Sequence, residues 1–251
     1  MSSREPKVAE VVRDAIEDLI IDRGLVEGDQ LPNEREMLEE FGVARGTLRE
    51  ALRLLELQGV LTIKTGRGGG PIVSRPRPKD LADSFAVLLR FDGVTIEEVL
   101  DAWLELEPVL ASLAARRATP EDVARLQANT EQLASAIASK DEFDRLNIEF
   151  HELLYAASGN RALSTLALTL EQVVTAVGVT VSYPEAAQRG MVTAHQRIVD
   201  AVQAADADEA AAQALRHLRE FHRFLAREHP ETLAQRVRTV RPGAVEPVAN
   251  T

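Results

Sequence analysis

Residues 31–74, LPNEREMLEEFGVARGTLREALRLLELQGVLTIKTGRGGGPIVS, decide the fold of the N-terminal part of this chain. Glu34 to Phe41 reads as a short helix, stopped by a tight turn at Gly42. Arg45 to Gln58 reads as a second helix, because Leu48, Leu52 and Leu55 fall on one face at helical spacing. Its start and its opposite face carry Arg45, Thr47, Arg49 and Arg53, donors suited to phosphates and to base edges. Two short apolar runs follow, Val60 to Ile63 and Pro71 to Ser74, around a basic glycine-rich tip from Lys64 to Gly70. The predicted order is helix, turn, recognition helix and β-wing.

Upstream, Val8, Val11, Val12, Ala15, Leu19 and Ile20 give a helix from Glu5 to Arg23 its apolar face, and Gly24 stops it. Downstream, Ser74-Arg75-Pro76-Arg77-Pro78 reads as an extended linker, since its prolines oppose helix continuation. A head at 5–74 is thus followed by a linker at 75–78. From Lys79 to about Glu228 the pattern is helical throughout: Leu81–Leu89, Ile96–Arg117, a helix opening at Thr119-Pro120, Asp141–Ala157, Arg161–Val181, Pro184–Ala204 and Ala207–Arg227. Thr119 suits an N-cap, Pro120 the first helical position, and Glu121 and Asp122 the first turn. The predicted fold class is mostly α, a winged helix-turn-helix and then an all-α bundle at 79–229. Residues 230–251 mix proline, glycine and charge without an apolar stripe, and are expected to form a disordered tail.

A formal net charge of −11 looks wrong for a nucleic-acid binder, but the charge is uneven. Residues 45–77 carry seven Lys/Arg against two acids, while both flanking regions are acidic. Exposed charges are screened beyond a Debye length of about 8 Å, so the local patch governs contact with DNA. The absence of cysteine excludes disulfides and thiolate metal sites. No run approaches the ~20 apolar residues of a membrane span, and MSSREPKVAEVV lacks the apolar core of a signal peptide. A cytoplasmic protein is expected.

The head resembles the winged helix-turn-helix of GntR-family bacterial transcription regulators. The matching residues are Leu31-Pro32-Asn33-Glu34-Arg35-Glu36-Met37, then Gly42-Val43-Ala44-Arg45-Gly46-Thr47-Leu48-Arg49-Glu50-Ala51-Leu52, then Gly66-Arg67-Gly68 and Val73. The resemblance implies that Arg35, Arg45, Thr47 and Arg49 touch phosphates or base edges. It implies too that Lys64, Thr65 and Gly66 of the wing reach the minor groove. One recognition helix buries little surface, so a homodimer reading a pseudo-palindromic operator in double-stranded DNA is expected.

The helical part resembles the FCD domain of the FadR subfamily. Asn147-Ile148-Glu149-Phe150-His151 matches its Asp/Asn-x-x-Phe-His, His195 and Ile198 match a later His-x-x-Ile, and His217 stands where the last helix supplies a histidine. The resemblance implies that Asn147, His151, His195 and His217 hold a divalent metal, zinc or nickel, beside a pocket for a small anionic effector. Asn147 and His151, at i and i+4, share a helix face. Asn147 replaces the aspartate of many relatives, which leaves the metal's charge less compensated. Relatives often carry arginine four residues before the Glu107-Pro108 pair, where this chain has Trp103. Trp103 and Glu107 either line an effector pocket for a larger, more apolar ligand, or Trp103 packs the core.

No catalytic arrangement is visible. His151-Glu152-Leu153-Leu154-Tyr155 puts tyrosine where a His-Glu-x-x-His zinc site needs its second ligand, and the wing glycines lack a nucleotide-binding context. The chain reads as a transcription regulator and not as an enzyme. The resemblance implies a repressor, since repression relieved by ligand is the commoner family behaviour, while the sequence leaves open whether the effector releases or promotes DNA binding. The competing class is a metal-dependent sensor whose head no longer binds DNA; the set Arg35, Arg45 and Arg49 argues against it.

Overall fold

A computed structural model describes residues 7–66, 69–176 and 183–237. The chain divides into two compact units, residues 1–81 and 82–251.

In the first unit α1 (Val8–Asp22) buries Ala9, Val12, Ile16 and Ile20. Asn33 starts α2 (Glu34–Phe41): its side chain accepts from the Arg35 and Glu36 N–H groups, and the Glu36 carboxylate accepts from the Asn33 N–H. Gly42 ends α2 at φ +62°, a left-handed conformation that costs glycine least. The chain then enters α3 (Arg45–Leu57), which buries Leu48, Ala51, Leu52 and Leu55. Strands β1 (Leu61–Lys64) and β2 (Gly70–Val73) pair antiparallel, with Leu61 opposite Val73 and Lys64 opposite Gly70. Leu61 and Val73 close the core that α1, α2 and α3 share. Both strands sit about one residue from their expected positions, and Arg67 and Gly68 of the wing motif lie outside the described residues.

The second unit is helical. Its elements are α4 (Pro78–Asp92), within which the division between the units falls, α5 (Ile96–Arg117), α6 (Pro120–Ser135), α7 (Lys140–Ala157), α8 (Arg161–Ala176), α9 (Glu185–Gln203), α10 (Ala207–Glu228) and the short α11 (Pro230–Leu233). Thr95 and Thr119 cap α5 and α6, each exchanging hydrogen bonds with the acid three residues on. α5 packs against α7, α8, α9 and α10. Leu110, Ala111, Ala114 and Ala115 are its buried face there, and the three alanines leave room for neighbouring helices to approach closely.

Two expectations are corrected. Pro78 begins α4 instead of ending a linker, because proline's missing N–H costs nothing at a first helical position. The supposed tail is folded as far as Val237: Leu233 and Val237 are buried, and the Val237 N–H donates to the Val94 carbonyl. Two apolar side chains and a backbone pairing suffice, and neither needs a periodic stripe. Residues 238–251, and 177–182 at the end of the expected helix to Val181, lie outside the described residues. No helix among the described residues is long and apolar enough to cross a membrane.

Candidate DNA-binding face and histidine centre

The side chains expected on DNA are presented outward. Arg35, Arg45, Arg49 and Arg53 are exposed, as are Lys64, Thr65 and Gly66, while Thr47 is half-buried. Glu34 gathers two of the arginines, its Oε1 lying 3.2 Å from Arg45 Nε and 3.5 Å from Arg49 Nε. The cap at Asn33 thus places α2's first acid against the start of α3, and two guanidinium groups share one side of the head.

In the helical unit α7, α9 and α10 each bring one histidine inward. His151, His195 and His217 are buried, and each offers a ring nitrogen within 4.8 Å of the others. His195 Nε2 and His217 Nε2 are 3.3 Å apart. Phe150 stacks on His195 with ring centroids 3.7 Å apart, which fixes that ring's plane. Asn147 lies one turn before His151 on α7, and its Oδ1 is buried without a hydrogen-bond partner.

Behind His151 stands a second polar set. Glu107 on α5 is wholly buried, and its Oε2 lies 3.0 Å from His151 Nδ1. That contact is an ion pair rather than a well-aligned hydrogen bond. The Tyr155 hydroxyl donates to the same oxygen at 2.5 Å and accepts from Trp103 Nε1 at 2.7 Å. Burial alone would raise the Glu107 carboxyl, but the charge and contact of His151, then His217 and Tyr155, hold it below the usual carboxylate range. Burial pushes His151 down, yet Glu107 outweighs it and lifts the imidazole to about 9. Burial and the charge of His151 lower His217 to about 4. His195 is held well below its usual value by burial and the other two rings. Buried Glu171 on α8 rises to about 7, chiefly through burial.

His217 also lines a cavity of about 310 Å³, with Tyr183, Phe221, Phe224, Arg223 and Arg227 among its walls. Trp103 and Glu107 do not line this cavity; Trp103 is 4% exposed and packs the core. Sequence reasoning missed Tyr155 as a partner of Glu107, Glu171, and the arginines of α10. His222, also on α10, is half-buried with Nε2 3.9 Å from Glu97 Oε1.

A helix-turn-helix head with outward arginines, joined to a helical domain with a buried donor cluster beside a cavity, defines a DNA-binding regulator with a ligand-binding domain. The model of the family "Bacterial regulatory proteins, gntR family" matches residues 8–69, and the FCD domain model matches residues 98–220. The HTH-type transcriptional repressor NanR of Enterobacter sp. (strain 638) is 30% identical over 211 residues, 81% of this chain and 80% of that protein. Its counterpart in Cronobacter sakazakii is 29% identical over 211 residues, with the same coverage. The solved structure of Streptococcus agalactiae GntR is similar at a TM-score of 0.68 and 26% identity, covering 86% of this chain and 99% of that one. The chain belongs to the GntR family of bacterial transcription regulators, with an FCD effector-binding domain behind its DNA-binding head. Both matched families are regulators rather than enzymes, in agreement with the sequence reading.

Proposed function

We propose that the chain is a cytoplasmic, homodimeric repressor of FadR type whose hold on its operator is set by a small anionic metabolite bound beside a divalent metal. The observation that carries this reading is the double role of His217, which belongs to the histidine cluster and also lines the cavity that Arg223 and Arg227 border. The two cations and the apolar walls of Tyr183, Phe221 and Phe224 suit an effector with a carboxylate and an apolar body.

The donor set fits a metal. Two nitrogens each about 2.0–2.1 Å from a tetrahedral ion lie about 3.3 Å apart, the spacing between His195 and His217. His195 and His217 are neutral at pH 7, so their lone pairs are available, and Asn147 Oδ1 has no competing partner. His151, His195, His217 and Asn147 would hold the ion, and imidazole donors favour zinc or nickel. Bound there, the metal supplies positive charge and a coordination position for an effector carboxylate. The names of the NanR relatives support repression as the direction of control.

Metal analysis and mass spectrometry of small molecules released from purified protein test this directly. His195→Ala should lower metal content and weaken the effector response while leaving ligand-free operator binding nearly intact. If that variant kept its metal and responded normally, the histidines would be ordinary core residues.

A further inference from the structure

We propose that Glu107 is a positioning residue of the metal centre, a buried carboxylate that orients His151 and supplies the negative charge that Asn147 lacks. The inference rests on the metal reading above and deepens it. Its basis is a pairing of two helices. Trp103 and Glu107 stand four residues apart on α5, His151 and Tyr155 four apart on α7, and the two pairs face each other in the core. Trp103 Nε1 donates to Tyr155 Oη, Tyr155 Oη donates to Glu107 Oε2, and the same Oε2 lies 3.0 Å from His151 Nδ1.

That chain of contacts has a direction. The tyrosine can turn its hydroxyl proton to Glu107 because the indole N–H already occupies one of its lone pairs. Glu107 is therefore held from one side by a neutral donor and offers its charge to His151 on the other. Contact through Nδ1 leaves Nε2 as the nitrogen of His151 available to a metal. Carboxylate–histidine–metal relays of this kind fix the tautomer and raise the basicity of the ligand.

Charge gives the second argument. Three imidazoles and an amide bring no negative charge to a divalent ion, whereas an aspartate at position 147 would bring one. Glu107 supplies one through His151, without occupying a coordination position. A buried carboxylate survives in an apolar core only when paired, and Glu107 Oε1 has no hydrogen-bond partner. Tyr155 and His151 both meet Oε2, and once His151 is a neutral ligand an ion at its Nε2 would be the positive charge that Glu107 faces.

The test uses cobalt(II) on the full-length protein, with visible absorption reporting ligand geometry and chelator competition reporting affinity. Glu107→Gln should weaken cobalt binding about 10- to 100-fold, the range found when outer-shell partners are removed. Adding Asn147→Asp to that variant should recover most of the loss, because the charge returns by another route. A Glu107→Gln protein with wild-type affinity and spectrum overturns the proposal. So does a loss that Asn147→Asp leaves uncorrected, since that marks a packing role only. Should Glu107→Gln fail to fold, Tyr155→Phe decides: it keeps the carboxylate but removes its seat, and should weaken cobalt several-fold with an altered spectrum. Unchanged binding there overturns the idea equally. A wild-type protein that takes up no cobalt removes the metal reading itself, and this one with it, whereas uptake unaffected by Glu107 removes this one alone.

Discussion

At the scale of the residue, three histidines in one cluster hold protons very differently. Burial and the charge of His151 keep His217 neutral down to about pH 4, and burial with the charges of both other rings holds His195 well below its usual value. His151 instead keeps its proton to about pH 9, because Glu107 outweighs burial. The signs differ accordingly. For His195 and His217 the folded value lies below the unfolded 6.5, so their contribution is present above pH 6.5 and is lost as pH falls, for His217 through about 4. For His151 the folded value is raised, so its contribution is present below pH 6.5 and is lost as pH rises through about 9. A metal ion needs three deprotonated rings, but only one carries a proton to lose. Near pH 8, where Glu171 with its value of about 7 has largely ionised, uptake of each metal should release about one proton. Calorimetric titrations in buffers of differing protonation enthalpy measure this count. Release of two or three protons would mean that the burial of His195 and His217 does not keep them neutral.

At the scale of the element, α3 carries the prediction for DNA. Arg45 and Arg49 rest against Glu34, with Arg45 70% and Glu34 39% exposed at the side chain, so the pair is solvent-screened and separates at a cost of about 0–1 kcal/mol. DNA can therefore recruit both guanidinium groups cheaply. Arg45→Ala should cost about 1–3 kcal/mol and relax specificity at one base step if the arginine reads a base. A phosphate contact would instead weaken all sequences alike and reduce the salt slope by about one. Operator titrations across a salt series separate these outcomes, and unchanged affinity in both Arg45→Ala and Arg49→Ala would remove α3 from the interface. The same helix shows what a sequence can disclose. Leu48, Leu52 and Leu55 announce α3 because burial repeats with its own period, and Thr119-Pro120 announces α6 because capping is local. The histidines were legible only through the resemblance to the FCD domain, since His151, His195 and His217 lie on three different helices. The partners of Glu107 were not, since Tyr155 lies 48 residues away and its other partner, Trp103, 52 residues from the tyrosine, and contacts at that separation leave no periodic trace. The packing of Leu233 and Val237 was hidden likewise, because it depends on a backbone pairing with the distant Val94.

At the scale of the whole molecule, the proposed dimer is what turns two heads into a reader of one operator. A single recognition helix contacts a half-site, and a two-fold assembly doubles the contacts and dictates a pseudo-palindromic sequence. The helical unit leaves large apolar side chains uncovered on α4, where Leu88 is 57% and Phe91 86% exposed, while Ala82 and Ala86 bury the opposite face of that helix. An uncovered apolar face on a helix whose other side is already packed is a surface that association would remove from water. Phe91→Glu places a charge on its most exposed apolar position. That substitution should shift the protein toward monomer in light scattering and weaken operator binding, while metal content and effector affinity in the helical unit stay near wild type. A Phe91→Glu protein that remained dimeric would move the interface off α4, and a wild type that was monomeric both free and on DNA would end the dimer reading. The dimer also sets how far the effector can act. An effector shifts operator affinity only by its preference between DNA-bound and free protein, so operator DNA must change effector affinity by the same factor. If dimerisation carries the coupling, Phe91→Glu should abolish that reciprocal factor while sparing effector binding itself. Effector titrations with and without operator duplex, on both proteins, measure it.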